Sequence, residues 1–342
     1  MAAGGSVISK DLRLQAFGIL LIPAFVGHTL QLLGEDRPWE AHAWAREAFQ
    51  PGWHQHLPGW VPVALAFMLA AAVIGLAVDR RRQWLLAVIL IYWAHYLTYP
   101  YRIRNHMSHM FSGLTMLGVV WIVAWLLGAH DFRGRGPRAR VVDRYAADGL
   151  ALIVCVNYFF AGFHKINENF FAIPTSAAVH GMGQFWVYAD LGSELPTWAA
   201  YCAIYGTIFV ECCVPWIAWR VPRLRIPAVL TLFAFHYPMV STMNVSDYPM
   251  IASAYFPCFF SHAQLRVLLG YFRRASRWTV PCAAAGVAMQ VWAIPWWGEL
   301  TIFGLFVMGL WGWATGAMLH MVWDRRKREP STEAGMRYHP AP

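Results

Sequence analysis

A lysine closes an apolar run in the stretch Tyr158-Phe-Phe-Ala-Gly-Phe-His-Lys165-Ile-Asn167. An ammonium group at the edge of a hydrocarbon layer is costly to keep, and a partly desolvated lysine can give up its proton near neutral pH and act as a base. The simpler alternative is a side chain that lays its methylenes along the bilayer and lifts its charge to the headgroups. Other ionisable residues stand in comparable positions. His106 and His109 follow Arg102-Ile-Arg104-Asn105 at the opening of one apolar run, and His236 lies in the second half of another that ends at Asn244 and Asp247. His106 and His109 are spaced i, i+3 and share a helix face. Glu211 lies toward the far half of a further apolar run, where a carboxyl reads as protonated and hydrogen-bonded inside a bundle.

The composition says what must carry these residues. Of 342 residues 58% are hydrophobic and 13% charged, and the mean hydropathy is +0.40, values a soluble domain rarely reaches. An all-α, polytopic membrane bundle is therefore expected. Runs near the length needed to cross the hydrocarbon core, about 20 residues, fall at 13–33, 60–78, 84–101, 107–128, 147–164, 197–219, 226–244, 249–270, 279–295 and 301–323. The first run reads as a retained helix rather than a cleaved signal. Residues 1–323 then form one transmembrane domain, and the polar segment 324–342 a disordered tail.

The charges test this arrangement. With ten spans and both termini cytoplasmic, all 27 Lys and Arg residues except Arg37, Arg46, Arg102, Arg104 and Lys165 fall on the cytoplasmic side, as the positive-inside rule requires. The net charge of +9 is thus a topology signal, and no nucleic-acid partner is expected. Two long segments remain outside. Residues 34–59 carry His54 and His56. Residues 165–196 are too apolar for a solvated loop and too broken by Pro and Gly for a span, so a re-entrant or interfacial cap over a cavity is expected. In this topology Lys165, His106 and His236 share one depth toward the outer side, the place where intramembrane ionisable groups mark a functional cavity.

A metal is not expected. Cys155, Cys202, Cys212, Cys213, Cys258 and Cys282 lie in or beside apolar runs without metal-ligand spacing and read as small core residues. A membrane di-iron oxygenase needs several paired His clusters, and only Asn105-His-Met-Ser-His109 looks like one.

The lysine stretch resembles the lysine motif of the vitamin K-dependent gamma-carboxylase family, whose bacterial members are the HTTM (horizontally transferred transmembrane) domain proteins. Asn105-His106 is similar to the family's Asn-His pair at the start of a span. Phe235-His236 with Met243-Asn-Val-Ser-Asp-Tyr-Pro-Met-Ile-Ala252 is similar to its His helix and following turn, and Phe209-Val-Glu211 through Pro215 to its Glu-x-x-x-Pro stretch. The resemblance covers roughly residues 10–290. It implies that Lys165 is the base that deprotonates reduced vitamin K or another membrane quinol, with His106 and His236 in the active site. Arg104, Asn105, Asn157, His164 and Asn244 are then candidates for binding substrate or cofactor. Dioxygen is consumed, and the product is an epoxide, formed alone or coupled to carboxylation by carbon dioxide. There are departures. Asn157 replaces a family Gln, Phe170-Phe171 stands where a Trp follows the lysine, and Ser246 replaces a Gly. The animal carboxylase has a large lumenal domain that binds its peptide, whereas this chain ends soon after the tenth run, which counts against a peptide acceptor relative to a small molecule or a lipid.

The expected function is therefore that of a multi-pass inner-membrane enzyme, acting on a lipid-soluble quinol from the periplasmic side. A non-enzymatic membrane protein, either a transporter or an assembly partner, is the rival reading.

Overall fold

The computed structural model describes residues 8–34, 58, 60–98, 107–242, 247–297 and 302–328, and among these all regular structure is helical. The helices are α1 (Leu12–Gly34), α2 (Trp60–Asp79), α3 (Arg82–Thr98), α4 (Met107–Leu126), α5 (Ala139–His164), α6 (Glu168–Phe171), α7 (Ala177–Tyr188), α8 (Thr197–Cys212), α9 (Val214–Arg220), α10 (Arg225–Thr242), α11 (Asp247–Tyr255), α12 (His262–Phe272), α13 (Thr279–Trp297) and α14 (Ile302–Arg328). A 3-10 turn, Phe256–Phe259, follows α11. Three stretches among the described residues, Ala139–His164, Thr197–Arg220 and Leu305–Asp324, are long and apolar enough to cross a membrane, and further apolar stretches lie within α1, α2, α3, α4 and α13. Phe67, Ile74, Val78, Val119 and Val123 are exposed on α2 and α4, a surface that water would penalise and lipid would not.

Two of the expected runs are not single helices. The run 197–219 breaks at Cys213, and Pro215 sits at the start of α9, where its missing N–H is tolerated. The run 249–270 divides into α11, the 3-10 turn and α12. Ser261 opens α12 with a capping box: its hydroxyl accepts from the Gln264 N–H, while the Gln264 side chain accepts from the Ser261 N–H. Residues Ile251 to Phe260 are buried throughout, packed on α1 and α5. At the C-terminal end, α14 stays helical to Arg328, so the segment expected as a tail from 324 begins inside it.

The core runs between α1, α3, α4, α5 and α11. Phe17 and Tyr255 meet edge to face at 4.9 Å, and Trp121 and Tyr92 are fully buried. One end of the bundle is pinned by a buried ionic cluster. Arg82 clasps Asp143 through two bonds of 2.9 and 2.6 Å, and Ser9 Oγ (2.6 Å) and Trp121 Nε1 (3.2 Å) donate to the same carboxylate. His130 packs against the Arg82 guanidinium and stacks on Trp121. A bidentate clasp with every oxygen bonded is the arrangement that makes a buried charge tolerable. The α13–α14 hairpin packs backbone to backbone: a Cβ on Gly312 would lie 2.0 Å from the Cys282 carbonyl oxygen, so only glycine fits there.

Candidate functional site

The lysine motif is a piece of helix-end engineering. Lys165 is the residue after the last turn of α5, and its N–H bonds back to the Gly162 carbonyl. Asn167 then caps α6. Its Oδ1 accepts from the Phe170 N–H (3.0 Å) and its Nδ2 donates to the His164 carbonyl (2.8 Å), which turns the chain sharply after the lysine. Gly162 brings α8 close: a Cβ there would sit 2.6 Å from Cys212 Sγ and 3.0 Å from Glu211 Cβ. The missing side chain lets Glu211 stand beside Lys165. Lys165 Nζ donates to both Glu211 oxygens, at 2.9 and 2.7 Å, and to the Ala161 carbonyl at 3.2 Å. The Glu211 side chain is 7% exposed and that of Lys165 30%.

This pair forms one wall of a cavity of about 380 Å³. Phe170 from α6, Met182 and Phe185 from α7, and Phe235 from α10 supply aromatic and apolar walls, with Thr207 and Thr231 as the neutral polar groups. The segment expected to form a cap contributes α6 and α7, and α7 packs against α8 and α10. That packing explains the depth of the pair. Glu211 lies about 21 Å along α8 from Thr197; because the chain after Lys165 folds back beside α8, Thr197 begins well beyond the lysine. Glu211 was expected nearer the opposite end, and it is instead level with Lys165.

His236 takes another position. It is fully buried and bonds Tyr158 Oη, with the rings edge to face at 5.8 Å. Tyr158 is two turns before Lys165 on α5, about 10 Å along the helix. The neighbouring Phe235 lines the lysine cavity and His236 does not. Asn157 is half-buried on α5, and His164 is exposed, using its carbonyl to receive Asn167. Arg104, Asn105, His106 and Asn244 lie outside the described residues, as do His54 and His56, and His109 is in the first turn of α4. Among the described residues, no group of three or more His, Cys, Asp or Glu side chains is placed to hold a metal.

Glu211 is the site residue that sequence reasoning undervalued. One signal was available: a lone carboxyl in one apolar helix and a lone ammonium ending another are each costly, and pairing them reduces both costs. No protein-family model, curated protein or solved structure matches the chain.

Proposed function

We propose that the chain is a membrane enzyme in which Lys165, paired with Glu211, takes a proton from a lipid-soluble quinol or similar phenolic substrate for an oxygen-dependent reaction. The observation that carries this reading is the Lys165–Glu211 pair on the wall of an otherwise apolar and aromatic cavity. The cavity volume lies in the ordinary range for small-molecule sites. Its chemistry fits a flat, apolar ring bearing one hydroxyl: Phe170, Phe185 and Phe235 offer ring contacts, and Lys165 offers a nitrogen. When bound, a quinol would supply an acidic hydroxyl whose deprotonated form reacts with dioxygen, with or without transfer of carbon dioxide to an acceptor.

The protein's own part is proton handling. The two bonds from Nζ to the carboxylate and the third to the Ala161 carbonyl hold the resting ammonium at one position. Glu211 takes a proton from it, and the neutral amine, on releasing one of these contacts, turns its lone pair to the cavity and accepts the hydroxyl proton. The apolar walls exclude water, which strengthens this exchange.

In the membrane, the reading is ten crossings of a bacterial inner membrane with the basic end cytoplasmic. In support, segments around residues 8–13, 79–82, 130–148, 219–225 and 258–262 gather at one end of the bundle. The Lys165 cavity then faces the periplasmic half. The test is turnover by the purified full chain given a hydroquinone and oxygen, with the epoxide measured by mass spectrometry. Wild type forms epoxide and Lys165→Ala falls to background; unchanged turnover in the variant overturns the assignment.

The break between α8 and α9, two residues from Glu211, favours a second reading. Interrupted helices beside a paired charge are also how transporters build a substrate site. Absence of any quinol turnover in the wild-type protein would turn the choice toward it.

A further inference from the structure

At the end of the bundle remote from Lys165, four helices begin around one cavity of about 710 Å³. They are α1 at Leu12, α5 at Ala139, α10 at Arg225 and α12 at His262. Each helix start carries partial positive charge and unsatisfied N–H groups. The side chains add to it: Lys10, Arg13, Arg140, Arg144 and Arg225 line the cavity with His262, against the carboxylates of Asp11 and Asp148. Both carboxylates are already used. Arg13 bonds Asp11 at 3.0 Å and Asp148 at 2.5 Å, and His262 Nε2 lies 3.0 Å from Asp11. Arg225 is held by the Ala218 and Trp219 carbonyls and by Gln264. Arg140 and Arg144 are one turn apart on α5, exposed, and make no ion pair among the described residues. The cavity lining therefore carries a surplus of positive charge.

A second cavity of about 210 Å³ lies between α1, α10, α12 and α14, and Phe260 forms part of the wall of both. Its lining is almost entirely apolar, with Leu20, Phe233, Leu268 and Trp311 among the side chains. A strongly basic cavity adjoining a greasy groove is complementary to a molecule with an anionic head and a hydrocarbon tail.

We propose that these two cavities form one binding site for an anionic phospholipid, with its phosphate among Arg140, Arg144 and Lys10 and an acyl chain in the groove past Phe260. The positive-inside rule explains basic residues at this end, but not their convergence on a cavity that adjoins a groove. The site is independent of the reaction assigned to Lys165.

Native mass spectrometry of the detergent-purified full chain tests this, with equal phosphatidylglycerol and phosphatidylcholine added. The expected result is saturable retention of phosphatidylglycerol over phosphatidylcholine. Arg140→Gln with Arg144→Gln weakens it about thirtyfold. Leu268→Trp, which fills the groove, weakens lipid retention without touching the basic wall. Equal retention of the two lipids overturns the proposal in the wild-type protein alone, whatever the variants do. Undiminished retention in the Gln double variant overturns the phosphate position. Displacement of phosphatidylglycerol by glycerol 3-phosphate or inorganic phosphate, with no effect of Leu268→Trp, assigns the basic cavity to a soluble phosphate and overturns the lipid.

Discussion

Lys165 Nζ stands within hydrogen-bonding distance of both oxygens of Glu211, 46 residues away on a different helix. Neither charge is solvated as it would be in water, and each is the other's main partner. Removing one therefore strands the other. Glu211→Ala is expected to lower stability by roughly 3 kcal/mol, near the low end for a broken buried pair because Lys165 keeps some exposure. The paired change Lys165→Met with Glu211→Leu should recover most of that loss while leaving no turnover. Thermal melts in detergent and the epoxide assay separate the two effects.

Gly162 controls the approach of α8 to this pair. Gly162→Ala places a methyl against Cys212 Sγ and Glu211 Cβ, so a loss of about 1–3 kcal/mol is expected, with reduced activity. Removing the sulfur with Cys212→Ala in the same chain should restore part of both. A double-mutant cycle on melting temperature measures the coupling, which vanishes if the two helices do not meet at this point.

Arg82 is expected to matter more for folding than any residue of the cavity. Arg82→Ala leaves Asp143 buried with only Ser9, Trp121 and His130 around it, at a cost of roughly 3–5 kcal/mol. Asp143→Asn in the Arg82→Ala background should recover stability, since it removes the stranded charge. Expression level and melting temperature report this directly.

Asp11 gives the fold an acid-sensitive contact. Burial opposes its ionisation, but hydrogen bonds from Arg13 and His262 and the Arg13 charge outweigh that, holding the carboxyl below its usual 3.8. A carboxyl depressed in the folded state contributes stability that is complete above the unfolded value and is lost as pH falls through the lower folded one. Melting temperature should therefore drop on acidification below 3.8, and Asp11→Asn should make that limb shallower while lowering stability at neutral pH. Equal acid limbs in the two proteins would contradict it.

Much of the helical layout was legible because apolar runs near bilayer length leave few alternatives. What escaped was where a run stops being one helix. Ser261 and Gln264 have the spacing of a capping box and announced a new helix inside the run 249–270, yet the surrounding hydrophobicity masked them. Pro215 marked the break after α8 in the same way. The depth of Glu211 was not legible, since it depends on residues 166–196 folding back beside α8 and α10, a tertiary choice that no local pattern encodes. Arg82 read as one more cytoplasmic charge, because its clasp on Asp143 joins residues 61 positions apart. At the site itself, the lysine and its helix end were visible in the sequence, whereas the carboxylate that holds it was visible only as an isolated cost.

The absence of a side chain at Gly312 bears on how the chain enters a bilayer. With the Cys282 carbonyl pressed against it, α13 and α14 leave no gap for an acyl chain between them. Both helices are apolar over most of their length: α13 runs from Thr279 to Trp297, and α14 carries an apolar stretch at Leu305–Asp324. Packed this closely, neither helix needs to partition alone. The two can be released into lipid together, as a preassembled hairpin.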